Sequence, residues 1–203
     1  MEVHRNAILR AARRNSAGRI ELSRLFATTG KMELAAARAS EAIQIAPADP
    51  VPVEQLASVF ADAGDAAHLA PLADALVSRF PEREQARYYH ANALLLKGDV
   101  TRAIEEARAV TARNAANVRA QNLLGVACAT AENRECARGA FAAALASNPR
   151  DATSHANLGV PYLRSSDPQA AFEEFSIALA LDPSSAAAAE GLAEARAAIA
   201  AGR

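Results

Sequence analysis

Tryptophan is absent from this 203-residue chain and aromatic residues make up only 4% of it, which excludes a core built on large rings. The 51% of hydrophobic residues is therefore mostly Ala, Leu, Val and Ile, small side chains that suit close helix packing. Strand-favouring β-branched and aromatic residues are few and scattered, whereas the helix formers Ala, Leu, Glu and Arg abound, so an all-α fold is expected. Excess charge is missing too. A formal net charge of −1 and a pI near 6.4 exclude the broad basic field of a general nucleic-acid binder. Local asymmetry remains: residues 1–15 hold four Arg against one Glu, while residues 50–83 and 152–185 each sum to −3. Cys128 and Cys136 are the only cysteines, a count that fits neither a zinc site nor a disulfide framework, and reduced thiols are expected. No apolar run approaches the roughly 20 residues of a membrane span, and the N-terminus lacks the apolar stretch of a secretory signal. A soluble, cytoplasmic chain without membrane insertion is expected.

What the sequence does contain is a period. Gly30, Gly64 and Gly98 lie 34 residues apart, as do Gly125 and Gly159, Pro47 and Pro81, and Pro149 and Pro183. Apolar slots keep the same interval: Phe26, Phe60, Leu94, Cys128 and Tyr162 share one, and Ala35, Leu69, Ala103, Ala137 and Ala171 another. A fixed period of this length is the mark of a stacked repeat architecture. Five units follow, 16–49, 50–83, 84–117, 118–151 and 152–185. Within a unit the spacing is helical, as in Gln121, Leu124, Gly125 and Cys128 and then Ala137, Phe141, Ala144 and Leu145. Each unit is thus expected to be a helix–turn–helix. Gly64 with Asp65, Gly98 with Asp99, and Asp167 with Pro168 supply turn and cap chemistry between the two helices.

One helix pair cannot bury both of its apolar stripes, so units stack and the ends need caps. Residues 186–203 are expected to be a C-terminal capping helix. Residues 1–15, with Val3, Ala7, Ile8 and Ala11 against Arg5, Arg10, Arg13 and Arg14, fit a basic N-terminal helix or cap, an organelle presequence, or the edge of an upstream domain. Two prolines interrupt the pattern. Pro161 falls inside the first helix of the fifth unit and predicts a kink, and Pro71 predicts a second helix that starts late, near Leu69, or bends.

The pattern resembles the tetratricopeptide repeat family. Leu158, Gly159, Tyr162, Ala171, Phe175, Ala178 and Pro183 fill its signature slots in the fifth unit, and Leu124, Gly125, Ala137, Phe141, Ala144 and Pro149 do so in the fourth. The resemblance implies a right-handed α-solenoid of five tandem 34-residue helix–turn–helix repeats with a C-terminal capping helix. It also implies that the first helices line a concave groove that takes peptide segments. The stripe of each first helix left over from packing on its own partner helix then offers Ile20, Arg24 and Ala27 in unit one and Glu54, Ser58 and Asp62 in unit two. Unit three offers Tyr88, Asn92 and Leu95, unit four Arg119, Asn122 and Val126, and unit five Thr153, Ala156, Asn157 and Val160. The asparagines each carry a donor and an acceptor for a peptide main chain, and Tyr88 and Arg119 are residue types enriched at binding hot spots. Some family members clamp a terminal carboxylate with Lys and Asn, but here Leu123 and Thr153 stand in those slots.

Catalytic signatures are absent: no Gly-rich phosphate loop, no His-Glu-x-x-His and no Gly-x-Ser-x-Gly occurs. His4, His68, His90 and His155 show no i, i+4 pair, and His90 and His155 fall on inward slots as packed or hydrogen-bonded residues rather than metal ligands. Tyr88 and Tyr89 form the only aromatic pair near basic residues, too little for a nucleic-acid stacking platform. The expectation is a non-catalytic scaffold or adaptor, without cofactor or metal, that binds other proteins or peptides. Two alternatives are the regulatory or targeting segment of a larger enzyme, and a scaffold that self-associates.

Overall fold

The computed structural model describes residues 15–202, so the expected N-terminal basic cap lies outside the described residues apart from Asn15. Among the described residues every regular element is an α-helix. The first helices are α1 (Ser16–Thr28), α3 (Pro50–Asp62), α5 (Glu84–Leu96), α7 (Val118–Thr130) and α9 (Ala152–Arg164), 13 residues each. The second helices are α2 (Met32–Ile45), α4 (Ala66–Arg79), α6 (Val100–Arg113), α8 (Arg134–Ser147) and α10 (Pro168–Leu181), 14 residues each. A last helix, α11 (Ala186–Ala200), starts where a sixth first helix would. This is an all-α solenoid of helical repeats.

The helices fall into two compact units, residues 1–99 and 100–203. In the first, each helix packs on the next and the first helices α1, α3 and α5 pack in series. In the second, α6 to α11 pack in the same manner, and α7, α9 and α11 form the corresponding series.

Side-chain caps begin most helices. Asn15, Asp49, Asp65, Asn117, Asn133, Asp151, Asp167 and Ser185 each accept a hydrogen bond from a backbone N–H of the first turn. At the exposed Asp65 the hydrogen bonds from His68 hold the carboxyl below its ordinary range. Every turn within a pair has one geometry, in which the N–H just past the turn reaches back to the last turn of the first helix. Asp65 donates to the Phe60 carbonyl, Asn133 to Cys128 and Asp167 to Tyr162. That geometry needs a left-handed residue, supplied by Gly30, Gly64 and Gly98 at φ +73°, +67° and +82°. The fourth and fifth pairs put Glu132 and Ser166 there, at φ 57° and 56°. A left-handed non-glycine residue costs about 1–2 kcal/mol, partly offset by the lower entropy that Glu loses on folding compared with Gly. Glu132→Gly is therefore expected to stabilise the chain by about 0.5–1 kcal/mol in urea denaturation. Glu132→Ala, which keeps the Cβ, should give no gain.

Pairing within a repeat rests on side chains of complementary size. Where the first helix carries Gly125 or Gly159, the facing second helix carries Phe141 or Phe175, and a Cβ on Gly159 would lie 2.6 Å from the Phe175 ring. Where the first helix carries Ser23, Ala57 or Ala91, the equivalent second-helix residue is Ala39, Ala73 or Ala107, all fully buried or nearly so. The last two repeats thus set a ring against bare backbone in this layer, whereas the first three set two small side chains against each other.

One expectation narrows to one of its alternatives and another is overturned. The helix bearing Pro71 does not start late, for α4 begins at Ala66 and runs on to Arg79. Cys128 and Cys136 are not reduced thiols: their sulfurs are bonded, with Cα atoms 5.7 Å apart, within the range a disulfide needs. The helical hairpin explains the meeting, since the two cysteines flank one turn and their slots face each other. Pro161 stands in the last turn of α9, which continues to Arg164. Its missing N–H leaves the Asn157 carbonyl without an i+4 donor. The same slot holds Leu25, Val59, Ala93 and Ala127 in the other repeats. Pro161→Ala is expected to raise the unfolding free energy by about 1–2 kcal/mol, less than the full cost of a mid-helix proline because the buried ring is lost. A fall in stability would mean that the ring's packing outweighs the restored hydrogen bond.

Candidate functional site

The polar residues that the sequence places on the free stripes divide into two groups. The first ties repeats together. Glu54 on α3 is buried, and its carboxylate accepts from Arg83 Nε at 2.6 Å and Nη2 at 3.0 Å. This pair holds the Arg83 guanidinium above its ordinary pKa range. Asn122 on α7 occupies the same slot two repeats on. Its Nδ2 donates to Ser154 Oγ at 2.9 Å and Asp151 Oδ2 at 3.2 Å, and its Oδ1 accepts from Ser154 Oγ at 3.0 Å. Both side chains reach the residue that precedes the next first helix, Arg83 in one case and Asp151 in the other. At Glu54 and Asn122 this slot therefore joins neighbouring repeats, while in the repeat between them it holds Tyr88. Arg24 is similarly engaged: Nε donates to Gln55 Oε1 at 3.3 Å and Nη1 to Glu21 Oε1 at 2.7 Å, while Gln55 Nε2 donates to Ser23 Oγ.

The second group is more open. In the first compact unit Ser58 and Asn92 are half-buried and Asp62 is exposed, and Tyr88 is half-buried with its ring edge-on to Tyr89 at 5.2 Å. In the second, Arg119 is exposed and Asn157 half-buried. Asn157 borders two adjoining clefts. One, between α7 and α9, is lined by Val126, Ala129, Thr130, Asn157, Val160 and Arg164, with the Phe141 ring below. The other is a cavity of about 360 Å³ between α9 and α11, where Asn157, Val160 and Leu163 face Glu190, Gly191 and Glu194 over Phe175. Val126 and Val160 stand 38% and 37% exposed at the centre of this face.

Sequence reasoning placed Asn157 and both valines on the free stripes. It missed that α11 extends the same face, with Ala187, Glu190, Gly191 and Glu194 lining the second cleft. The signal was present, because Ala186 lies 34 residues after Ala152 and begins a sixth first helix. The inward histidines have polar partners. His155 Nδ1 lies 2.6 Å from Glu174 Oε2 and Nε2 lies 3.1 Å from the Pro149 carbonyl, and His90 Nε2 lies 3.5 Å from Asp74 Oδ1. Gln121, in the slot of His155, makes the equivalent bond to the Ala115 carbonyl at 3.1 Å. Among the described residues no three His, Cys, Asp or Glu side chains converge as a metal site would require.

The tetratricopeptide repeat family model matches residues 55–112, 97–152 and 130–186, more than half of the chain. The chain belongs to the tetratricopeptide repeat family. Its fold is that of solved members. A thermophilic tetratricopeptide repeat protein of Thermus thermophilus superposes with a TM-score of 0.80 at 18% identity, over 90% of this chain and 99% of that one. MamA of Desulfovibrio magneticus RS-1, from residue 41 to its end, gives 0.62 at 26% identity, over 84% and 97%. YrrB, a tetratricopeptide repeat protein with an unusual peptide-binding site, gives 0.58 at 18% identity, over 91% and 96%. Among curated proteins none matches the sequence. In this family the repeats generally mediate protein–protein interactions, and no described helix of this member is long and apolar enough to cross a membrane.

Proposed function

We propose that this tetratricopeptide repeat protein is a non-catalytic adaptor that binds a peptide segment of another protein on the face formed by α7, α9 and α11. The observation that carries this reading is the contrast between the two groups of polar residues. Glu54 and Asn122 are occupied in joining repeats, whereas the amide of Asn157 has no side-chain partner among the described residues and sits beside two exposed valines at adjoining clefts. An amide offering both donor and acceptor next to apolar anchors suits an extended or helical segment, since main-chain groups bind the amide and side chains fill the clefts. Arg119, on α7, stands at the border of the same face. Ser58, Asp62, Tyr88 and Asn92 form the corresponding surface of the first compact unit, and we assign them a secondary contribution. The same chemistry gives no support to nucleic acid as the ligand, for among the described residues no row of aromatic side chains accompanies the basic ones.

The test is a double substitution, Val126→Asp with Val160→Asp, on the solvent-exposed valines. Proteins retained by the wild-type chain are identified, and the affinity of one purified partner is measured for both forms by calorimetry. A loss of about 2 kcal/mol or more is expected for charges placed in an apolar contact. Equal affinity for the two forms would move the binding surface elsewhere. A cytoplasmic location, as the sequence suggests, would keep Cys128 and Cys136 as thiols, whereas the bonded pair suits an oxidising compartment. Thiol alkylation of freshly lysed cells, read by mass spectrometry, distinguishes the two.

A further inference from the structure

The cleft between α9 and α11 is unlike the rest of the face in its charge. Glu190 and Glu194 lie one turn apart on α11 and border the same cavity, and among the described residues neither has an ion-pair or hydrogen-bond partner. Like charges at this spacing repel. Two arginines lie in the neighbourhood, and Arg164 lines the same cavity, yet neither is paired with Glu190 or Glu194. Arg164 Nη1 reaches the Ala129 carbonyl at 3.5 Å, toward α7, and the Arg196 guanidinium lies 5.5 Å from the centre of the Phe172 ring. Facing the two carboxylates across the cavity are the apolar surfaces of Val160, Leu163 and Phe175. The cavity, at about 360 Å³, lies at the small end of the range of ligand pockets.

We propose that this cleft selects a peptide segment in which an apolar side chain adjoins a lysine or arginine. The inference rests on the peptide-binding reading given above and names its chemistry. The apolar side chain enters between Val160 and Leu163 above Phe175, and the cation lies between Glu190 and Glu194, relieving their mutual repulsion. Asn157, at the inner edge of the cleft, holds the main chain between these two anchors. An acidic segment laid along α11 would meet two unpaired carboxylates with Arg164 alone to offset them, so the glutamates confer specificity as well as affinity.

The experiment is selection of a random dodecapeptide display library on the full chain, followed by fluorescence anisotropy with the selected peptides resynthesised. Wild type is compared with Glu190→Lys/Glu194→Lys and with Glu190→Gln/Glu194→Gln, exposed substitutions whose helicity is checked by circular dichroism. Enrichment of Lys or Arg beside Leu, Ile, Met or Phe is expected. Affinity should fall about tenfold in the neutral variant and further in the reversed one, and the wild-type affinity should weaken with added salt. Selected peptides that are acidic or uncharged, or whose binding is indifferent to both variants, would overturn this inference while leaving peptide binding on the face intact. Selection of no peptide by any form would overturn both.

Discussion

Phe175→Ala is expected to lower the unfolding free energy by about 3–5 kcal/mol. Phe175 is 1% exposed and belongs to the cluster of Ala171, Ala178, Ala188 and Ala195 that joins the last repeat to α11. Its ring fills the space left by two glycines, Gly159 on α9 and Gly191 on α11, where a Cβ would collide with it. Removing the ring leaves a void that two of its neighbours, Gly159 and Gly191, have no side chain to fill, which places the cost at the upper end for such truncations. The first three repeats solve the same layer with Ala on the second helix, facing it with Ser23, Ala57 or Ala91. Adding Gly159→Ala to the truncated form should therefore recover about 1 kcal/mol or more, although Gly159→Ala alone in the wild-type background is destabilising. Because neighbouring repeats are coupled only through their shared interfaces, the loss should be concentrated in α9 to α11 and seen there as faster hydrogen exchange. A loss below about 1 kcal/mol for Phe175→Ala would refute the reading of its ring as the filler of this layer.

The second large effect concerns the disulfide. Cys128 and Cys136 are eight residues apart in sequence and close a short loop around the α7–α8 turn. Restricting the unfolded chain by a loop of this size is worth about 2–3 kcal/mol. Denaturation with and without dithiothreitol should differ by that amount, and Cys136→Ser should match the reduced protein and lose its sensitivity to the reductant. Cys128 itself is fully buried and serves as a small apolar side chain in either state. If reductant changes nothing, the thiols are free and the sequence-based expectation was the better one.

The repeat architecture was legible because stacking makes every unit solve the same packing problem, so Ala35, Leu69, Ala103, Ala137 and Ala171 recur at one interval. Helix starts were legible for the same reason, through caps such as Asp65 and Asp167. The approach of the two cysteines was legible, since they flank one turn of a helical hairpin, but the bond was not, because their count alone suggested reduced thiols. Left-handed Glu132 and Ser166 were also hidden, because the turn geometry is imposed by the flanking helices and tolerates a residue that does not prefer it. For the candidate site, the periodicity located the stripe but not the roles within it. Glu54 and Asn122 share a slot beside the cap of the next repeat, and only the three-dimensional arrangement reveals that this slot joins repeats. Asn157, one residue further around the helix than that slot, escapes this duty and borders the clefts. Phe141 illustrates the converse, a core residue whose ring also floors a cleft.

The claim that the α7–α9–α11 face is the binding surface is tested most directly by methyl NMR of the valines and leucines during titration with a bound peptide. The expected result is that the methyl signals of Val126, Val160 and Leu163 shift first and saturate together, while those of the buried Val110 on α6 and the exposed Leu34 on α2 stay in place. Shifts at Leu34 with none at Val126 or Val160 would contradict the account and place the ligand on a second-helix surface.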